Sequence, residues 1–568
     1  MRYLPHLQGP QDLKRLSIAQ LTELSAEIRH DLIERVQRTG GHIGSNLGLV
    51  EATVALHYVF DSPRDHIVYD VSHQSYVHKM LTGRYAAFMQ GATSGYTNPH
   101  ESDHDPFMVG HTSTAVSLAV GLAKGRNILG GTERIVAVMG DGSLSGGEAY
   151  EGLDNAATIQ GNLVIVLNDN EMSIADNHGG IYRGLSHLRA TKGAGQPNLF
   201  AALGLDYMYV EEGNDVAALV EAFGLAAQYD HPVVVHIHTQ KGKGLPWAEV
   251  EKERGHWIAA ADYVPSAEPT MPQLIADRLL ARIEAGDDLV VINAANPASV
   301  GLSPQWRRRA GDHFVDVGIC EEHAVAMASG VAKRGVKAVW LVLSSFVQRA
   351  YDQLSQDLAL NGTPAVVVVY NGGMSYGDPT HAGLYDVSMM SNVPGLKCLA
   401  PTTRQGLFAT LDWALGQTAG PVVIRVPQAL PDLAVVPAVG RWTVVREGRK
   451  VAVLGLGDMA QYALEVSDTL AKRGVNATIV ACDLYSSVDE QALESLLADH
   501  DVFVTLENGI LDGGFGQKVA AYLADKACKV LLRGADKAFV DRRSRAQQLE
   551  DYRMTPEQIL EDVEKLLR

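Results

Sequence analysis

The chain has 568 residues, too many for a single hydrophobic core, so we expect several domains. Hydrophobic residues make up 46% of it and charged residues 20%, a balance that excludes a disordered or fibrous protein. The formal net charge of −18 argues against a general nucleic-acid binder, because phosphate backbones require a basic face.

The N-terminal stretch MRYLPHLQGPQDLKRLS lacks the continuous apolar region of a signal peptide. No later apolar run reaches the roughly 18 residues that a membrane span needs. The four cysteines form no CxxC pair, which argues against a disulfide framework and a thiolate metal site. We therefore predict a cytoplasmic protein that does not associate with membranes.

The first half of the chain alternates apolar runs with alanine-rich stretches. TAVSLAVGLAKGRNIL and GEAYEGLDNAATIQ are typical of helices, whereas RIVAVMG, NLVIVLN and PVVVHIHT are typical of buried strands. Buried strands separated by helices indicate a parallel sheet that is covered on both faces. The prolines and small residues of YVPSAEPTMP, residues 263–272, break this pattern and predict a linker.

Two further α/β stretches follow the predicted linker. The second contains the strand-like runs DLVVINAA, HFVDVGIC, KAVWLVLSS, PAVVVVYNGG and PVVIRVP. The third contains KVAVLGLGDMA, NATIVACDLY and DVFVTLENG, and it ends in the amphipathic TPEQILEDVEKLLR. The predicted fold class is α/β, with three successive domains of mainly parallel sheet at residues 1–264, 273–431 and 441–568.

Polar residues follow two neighbouring strands of the first domain. RIVAVMG leads into Asp141, and NLVIVLN leads into Asn170 and Met172. Ligands of parallel sheets bind at the carboxyl ends of the strands, so these residues are expected to face one site. The Asp141 carboxylate, the Asn170 amide and the backbone carbonyl of Met172 are hard oxygen ligands suited to Mg²⁺.

The glycines of GDGSLSGG extend this prediction from a metal ion to a diphosphate. Gly140 and Gly142 would let the backbone approach an anion at the start of the next helix, where free N–H groups favour negative charge. The alternative is that GDG is only a strand-to-helix turn, since short glycine motifs recur by accident.

The pairing of GDG with NDNE resembles the signature of thiamine-diphosphate enzymes. Longer segments resemble the 1-deoxy-D-xylulose-5-phosphate synthase family within the transketolase-like enzymes: TGGHIGSNLGLVEATVALHYVFDSPRDHIVYDVSHQSYVHKMLTGR, VGHTSTAVSLAVGLA, CEEHAVAMASGVA, SSFVQRAYDQLSQDLAL and GDPTHAGLYDVSMM. The resemblance implies a transketolase-like fold, made of a diphosphate- and Mg-binding domain, an aminopyrimidine-binding domain and a C-terminal domain. It also implies thiamine diphosphate and Mg²⁺ as cofactors, with the active site between the first two domains.

The resemblance further implies roles for single residues. Glu321 of CEEHAV matches the carboxyl group that promotes the reactive tautomer of the cofactor's pyrimidine, and Phe346 matches the ring that stacks on it. Arg349 and Asp352 match polar neighbours of that ring, and Ser113 matches a cofactor contact. For Glu321 the alternative is a solvated residue at a helix start, and for Phe346 it is core packing.

Four histidines within matching motifs are the implied proton-transfer and substrate groups: His42, His73, His111 and His381. The remaining implied contacts are Lys241 near the diphosphate or substrate, and His256, Asp378 and Arg425 at the substrate. The alternative is a structural role for each histidine and a solvated loop residue for Lys241. His57 and His78 lack such motifs, and we predict that they are packing residues.

Several positions depart from the family pattern. Residues 175–196 are much shorter than the corresponding segment of the synthases. Leu343 stands where the family has an aromatic residue, and Asn371 and Gln428 replace arginines that hold the acceptor's phosphate, although Arg425 remains. Arginine is the preferred bidentate partner of phosphate, so we expect glyceraldehyde 3-phosphate to be a poor acceptor.

The sequence thus predicts a thiamine-diphosphate and Mg²⁺ dependent carboligase that decarboxylates pyruvate and joins the two-carbon unit to an aldehyde. Its expected partners are these small molecules and, as a homodimer, a second copy of the chain. Two alternatives remain open: a transketolase-like enzyme that takes its unit from a ketose, and a non-catalytic member of the fold that only binds the cofactor.

Overall fold

A computed structural model of the chain describes residues 2–264, 266, 268–431 and 437–568. Pro265 and Ala267, in the predicted linker, lie outside the described residues. The chain forms two compact units, and the first consists of Met1–Pro265 together with Gly318–Cys320. The second consists of Ser266–Val317 and Glu321–Arg568.

The first unit is built on a five-stranded parallel sheet. Its strands are β1 (His66–Tyr69), β2 (Ile135–Gly140), β3 (Leu163–Asp169), β4 (Asp206–Val210) and β5 (Pro232–His238), in the spatial order β1-β2-β3-β5-β4. Its longer helices are Ile18–Thr39, Val50–Val59, Ala115–Leu129, Gly147–Ala156, Ile181–Ala190 and Val216–Ala226. Alternate residues of β2 and β3 belong to two separate hydrophobic clusters, so both faces of the sheet are covered as predicted.

The second unit contains two sheets. The strands of the first of these are β6 (Leu289–Asn293), β7 (Phe314–Asp316), β8 (Lys337–Leu343), β9 (Val366–Tyr370), β10 (Lys397–Leu399) and β11 (Val422–Val426), all parallel, in the order β10-β11-β9-β8-β6-β7. Those of the other are β12 (Thr443–Arg446), β13 (Lys450–Leu456), β14 (Thr478–Cys482), β15 (His500–Ile510) and β16 (Lys529–Ala535), in the order β12-β14-β13-β15-β16. In that sheet β12 runs antiparallel to β14, and the other pairs are parallel.

The longer helices of the second unit are Met271–Glu284, Pro304–Ala310, Glu321–Lys333, Arg404–Gly416, Met459–Ala471, Glu490–Leu497, Phe515–Leu523, Arg545–Asp551 and Pro556–Leu567. With three mainly parallel sheets and their helices, the predicted α/β fold class is confirmed. The exact domain bounds stay a prediction. Among the described residues, no helix combines the length and the apolar character that crossing a membrane would require.

Candidate active site

The GDG turn lies directly after β2. Residues Asp141–Ser145 form a single 3-10 turn, and the helix Gly147–Ala156 follows. β2 and β3 pair in parallel with Gly140 opposite Asn168, so the NDNE segment emerges at the same edge of the sheet. A Cβ on Gly142 would lie 2.9 Å from the Cβ of Ser173, which shows how closely the turn packs on the loop after β3. The two strand ends therefore meet, as their sequence predicts.

Buried oxygen atoms without partners collect at this point. Asp141 is buried, and its Oδ2 accepts a 2.6 Å hydrogen bond from Nδ2 of Asn177. Within the described part of the chain, Oδ1 of Asp141 and Oδ1 of Asn170 are buried and have no hydrogen-bond partner.

Such an arrangement suits a cation. A buried acceptor left unsatisfied costs about 1–3 kcal/mol, and a divalent ion would satisfy several at once. Burial, together with the nearby Asp169 carboxylate, raises the pKa of Asp141. The residues present thus fit the predicted Mg²⁺ site. Met172 lies in the same loop and forms an isolated bridge with Asp176. Its carbonyl stays a predicted ligand.

Lys241 supplies a buried positive charge to the loop after β3. Its Nζ donates a 2.5 Å hydrogen bond to the carbonyl oxygen of Ser173, and its side chain is almost fully buried. Burial lowers the pKa of Lys241 to about 8. A lysine held inside the protein at this loop is consistent with the predicted contact to a diphosphate or substrate.

Ser113 and His111 precede the helix Ala115–Leu129. Ser113 has a left-handed backbone (φ 76°), and its N–H donates to Oδ2 of the buried Asp70 at 2.8 Å. Asp70 Oδ1 accepts from the N–H of Ala115 at 3.0 Å, so this carboxylate caps the helix. The Ser113 hydroxyl donates to the carbonyl of Ser143 in the GDG turn, and His111 is half-buried in the same loop.

Three of the predicted histidines form one cluster in the first unit. The ring centroids lie 4.8 Å apart for His42 and His73, 5.3 Å for His42 and His256, and 5.1 Å for His73 and His256. Burial, reinforced by the charges of Lys241 and the two other histidines, lowers the pKa of His256 well below its usual value. The rings come from three distant segments of the chain, so the fold brings together residues that the motifs name separately.

Asn46 fixes the segments that carry two of these rings. Its Nδ2 donates to the carbonyl oxygens of His42 and His73, each at 2.8 Å, and its Oδ1 accepts from the N–H of Tyr76 at 2.9 Å. The third segment is tied to the first by backbone hydrogen bonds, at 2.9 and 3.0 Å between Gly41 and Ile258. These hydrogen bonds hold together the three segments that carry the histidine cluster.

The second unit contains Glu321 and its neighbours. Glu321 begins the helix Glu321–Lys333, is 4% exposed, and accepts a 3.3 Å hydrogen bond from Nη1 of Arg349. Burial raises the pKa of Glu321, and the Arg349 guanidinium partly offsets that rise. The Phe346 ring lies edge-on to that of His381, with centroids 5.7 Å apart. Asp378 directly precedes the turn Pro379–His381, and its backbone carbonyl accepts from the His381 N–H at 3.0 Å, so five predicted residues lie in this part of the unit.

Arg425 has protein partners in the structure. This residue of β11 is 2% exposed, its Nε donates to Oδ2 of Asp386 at 2.7 Å, and its Nη2 donates to the carbonyl of Asn508 at 2.8 Å. These contacts support a structural role, and the predicted contact with substrate stays a prediction. Leu343 ends β8, and Asn371 follows β9 with a left-handed backbone (φ 58°), so the two departures sit at the ends of paired strands.

Sequence reasoning misses several residues that hold the site. Asn46 and Asp70 lie within a quoted family-like segment but were not singled out, Asn177 and Tyr182 lie outside all quoted motifs, and the roles of all four arise from hydrogen bonds to other segments. For Asp70 there is one signal, because an acidic residue directly after a buried strand lies at the ligand-binding edge of a parallel sheet.

Comparisons with known proteins cover the whole chain. Residues 4–197 match the family model described as 1-deoxy-D-xylulose-5-phosphate synthase. Residues 267–432 match the transketolase pyrimidine binding domain, and residues 440–559 match the transketolase C-terminal domain.

Two relatives are similar over nearly their full length. A 1-deoxy-D-xylulose-5-phosphate synthase of Symbiobacterium thermophilum is 38% identical, with 100% of this chain and 95% of the relative covered. The enzyme of that name from Thermomicrobium roseum is also 38% identical, over 96% of this chain and 94% of its own length. Among solved structures, a transketolase mutant of Pichia stipitis is 16% identical with a TM-score of 0.46, covering 97% of this chain and 98% of that one.

Proposed function

The chain belongs to the 1-deoxy-D-xylulose-5-phosphate synthase family, and on that premise we propose which of its residues perform the reaction. The enzyme decarboxylates pyruvate and transfers the two-carbon unit to an aldehyde, giving a 1-deoxyketose, with thiamine diphosphate and a divalent metal ion as cofactors. Family membership favours this reaction over ketol transfer between sugars and over a non-catalytic role.

The buried oxygen atoms at the GDG turn are the observation that supports the cofactor site most directly. Asp141, Asn170 and the carbonyl of Met172 would hold the metal ion, and the backbone of Gly140 and Gly142 would face the diphosphate. Lys241 and Ser113, whose side chains bond to the carbonyls of the adjoining loops, would complete the binding surface.

Proton handling would fall to Glu321 and the histidines. When bound, thiamine diphosphate supplies the carbon nucleophile that the protein itself lacks. Glu321, whose pKa is raised by burial, would share a proton with the cofactor's pyrimidine nitrogen. His42, His73 and His256 form a cluster able to hold or move protons of the substrate, and His111 and His381 are proposed for the same task.

The acceptor pocket is proposed to be poor in positive charge. Leu343, Asn371 and Gln428 are neutral, and the remaining arginine, Arg425, is already engaged by Asp386. A charge-assisted hydrogen bond contributes roughly 1.5–3 kcal/mol, so each lost contact would weaken a phosphorylated acceptor roughly tenfold to a hundredfold. We propose that an unphosphorylated or differently shaped aldehyde is the better acceptor.

The purified protein tests these proposals with pyruvate and a panel of aldehydes. We expect CO₂ release that depends on thiamine diphosphate and Mg²⁺, and a lower kcat/KM for glyceraldehyde 3-phosphate than for neutral aldehydes of similar size. Asn371→Arg should raise the value for glyceraldehyde 3-phosphate, and Asn361→Arg, at an exposed position of the same unit, serves as the control. Family-like efficiency of the unchanged protein with glyceraldehyde 3-phosphate would refute the acceptor proposal alone, whereas absence of pyruvate-dependent CO₂ release would refute the reaction.

We further propose that the enzyme acts as a homodimer in the cytoplasm. The composition and the cysteine content support the location, and the family resemblance supports the dimer. Sedimentation analysis at several protein concentrations tests the dimer, because a stable dimer keeps twice the mass of the 61.1 kDa chain throughout the series.

A further inference from the structure

The segment that follows the NDNEMSI motif is tied to both strand ends of the cation site. The chain turns back after β3 through the bridge between Met172 and Asp176, and Ser173 N–H donates to the Ala175 carbonyl at 3.1 Å. The helix Ile181–Ala190 then packs its buried Leu185 and Leu188 into the hydrophobic cluster under the sheet. This segment, residues 175–190, is called the brace below.

Three polar contacts join the brace to the strand ends. Asn177 Nδ2 donates to Oδ2 of Asp141 at 2.6 Å. The Tyr182 hydroxyl lies 3.2 Å from the carbonyl oxygens of both Asp141 and Gly142. At the other end of the helix, Nη1 of Arg189 donates to Oδ2 of Asp169 at 2.5 Å, directly before Asn170.

The Asn177 contact orients the Asp141 carboxylate. A carboxylate only accepts hydrogen bonds, so the atom of Asn177 that faces it is the NH₂ group, and one carboxylate oxygen is occupied. The other, Oδ1, is left buried and unpartnered among the described residues, as are Oδ1 of Asn170 and Oδ1 of Asn177 itself. Three acceptors with no donor point to a cation and its bound water, and Asn177 determines which oxygen of Asp141 is offered to it.

We propose that the brace positions the cation site, with Asn177 and Tyr182 as positioning residues that hold Asp141 and the GDG turn in the metal-binding geometry. This inference rests on the proposed cation site. The segment after NDNEMSI is shorter here than we expect for the family. Within this short segment, Asn177 and Tyr182 bond directly to the GDG turn. Neither residue is assigned a part in the chemistry.

A Mn²⁺ titration in the presence of thiamine diphosphate tests the proposal. The electron paramagnetic resonance signal of the free ion measures how much Mn²⁺ is bound. Loss of a residue that orients a metal ligand typically lowers metal affinity 10–100-fold, so we expect Asn177→Ala to do so while saturating Mn²⁺ restores cofactor binding. Asn155→Ala is the matched control, because Asn155 donates its amide to a backbone carbonyl on an exposed helix, and it should bind Mn²⁺ as the unchanged protein does.

Tyr182→Phe removes a single hydroxyl and provides a second variant that keeps the ring in place. We expect it to weaken Mn²⁺ several-fold without changing the circular dichroism spectrum. Unchanged Mn²⁺ affinity in a folded Asn177→Ala protein, or in Tyr182→Phe if the former does not fold, would overturn the proposal. Asp141→Ala distinguishes failure of the cation site from failure of the brace. If Asp141→Ala also binds Mn²⁺ normally, the proposed cation site is wrong. If Asp141→Ala alone loses Mn²⁺ binding, only the role of the brace is refuted.

Discussion

Glu321 is a buried carboxyl group whose pKa is raised by burial, which suits a group that shares a proton. Glu321→Gln keeps the size of the side chain and an oxygen that can accept from Arg349. It cannot share a proton with the cofactor's pyrimidine. We expect it to bind thiamine diphosphate with little change and to lose nearly all turnover. The exchange rate of the thiazolium C2 proton measures the effect, and exchange at the rate of the unchanged enzyme would contradict the assignment. Glu322→Gln, at the adjacent residue, is the control.

We expect the proposed cation ligands, Asp141 and Asn170, to be separable from the fold of the first unit. Asp141→Ala or Asn170→Ala removes a hard oxygen ligand, so Mg²⁺-dependent binding of thiamine diphosphate should become undetectable by calorimetry while the fold persists. Asp154→Ala, at an exposed position of the following helix, should bind normally. Full-affinity binding by both site variants would rule out the metal site.

At the residue scale, the motifs indicate candidate reactive side chains but not the residues that hold them in place. His42, His73 and His256 lie in separate motifs, and the cluster they form was predictable only through the family resemblance. Asn46 was not singled out, because nothing in the sequence distinguishes an asparagine that bonds to the carbonyls of two separate segments, at His42 and His73, from any other polar residue. Motifs point to candidate reactive side chains, whereas supporting residues can be recognised only when the fold shows which segments come together.

Among the structural elements, the pairing of the loop at Gly41–Gly44 with the segment 255–258 sets the position of His256. A Cβ at Gly44 would lie 2.6 Å from the carbonyl oxygen of Gly255, so the two backbones are in direct contact. We expect Gly44→Ala to force them apart, to reduce kcat at least tenfold and to lower the melting temperature. Gly121→Ala is the control, because nothing lies within 4 Å of its added Cβ, and helix propensity alone should make it neutral or stabilising by about 0.5–1 kcal/mol. Unchanged kcat in Gly44→Ala would show that the segments can separate without cost.

The strands were predictable where they are buried on both faces. All the apolar runs quoted from the sequence contain observed strands, from β2 to β15. β1, β10, β4 and β16 were missed for physical reasons: β1 and β10 have only four and three residues, and β4 and β16 are sheet edges whose residues are mostly half-exposed. The antiparallel β12 was also missed, because its residues are half-buried or exposed and lack an apolar run.

At the scale of the whole molecule, Arg425 joins the two sheets of the second unit, since it extends from β11 to Asp386 and to the carbonyl of Asn508 on β15. Removing one partner of a buried ion pair leaves an uncompensated charge, so Arg425→Leu should lower the free energy of unfolding by about 3–5 kcal/mol. Arg278→Ala, which breaks an exposed pair with Asp412, should cost about 0–1 kcal/mol. Denaturant unfolding measures both. Unchanged stability in Arg425→Leu with a raised KM for the aldehyde would instead favour the substrate role predicted from the sequence.

Two fully buried histidines are expected to make the first unit sensitive to acid. His57 and His78 are hydrogen bonded to each other at 2.8 Å, and His78 also bonds to Asp105, which Arg84 holds from the other side. Burial lowers the pKa of both histidines, and in His78 it outweighs the attraction of Asp105.

The folded state therefore binds fewer protons than the unfolded chain, in which histidine titrates near 6.5, so stability should fall as the pH drops below about 6.5. The slope is up to about 1.4 kcal/mol per pH unit for each histidine. Unfolding measured between pH 7.5 and 5.5 tests this, and His57→Gln should flatten the slope while the exposed His30→Gln leaves it unchanged. An equally steep slope in His57→Gln would assign the acid sensitivity to other groups.

The first unit is discontinuous in the chain, and this limits how the protein can be divided. Gly318–Cys320 belong to it although they lie more than fifty residues beyond its main part, and Ile319 N–H donates to the Ser145 hydroxyl at 2.9 Å. A gene fragment that stops at residue 265 would omit this tripeptide and leave Ser145, in the GDG turn, without that contact. A first-unit fragment expressed alone that keeps this contact of the GDG turn must therefore carry residues 318–320, which a single cut in the linker does not provide.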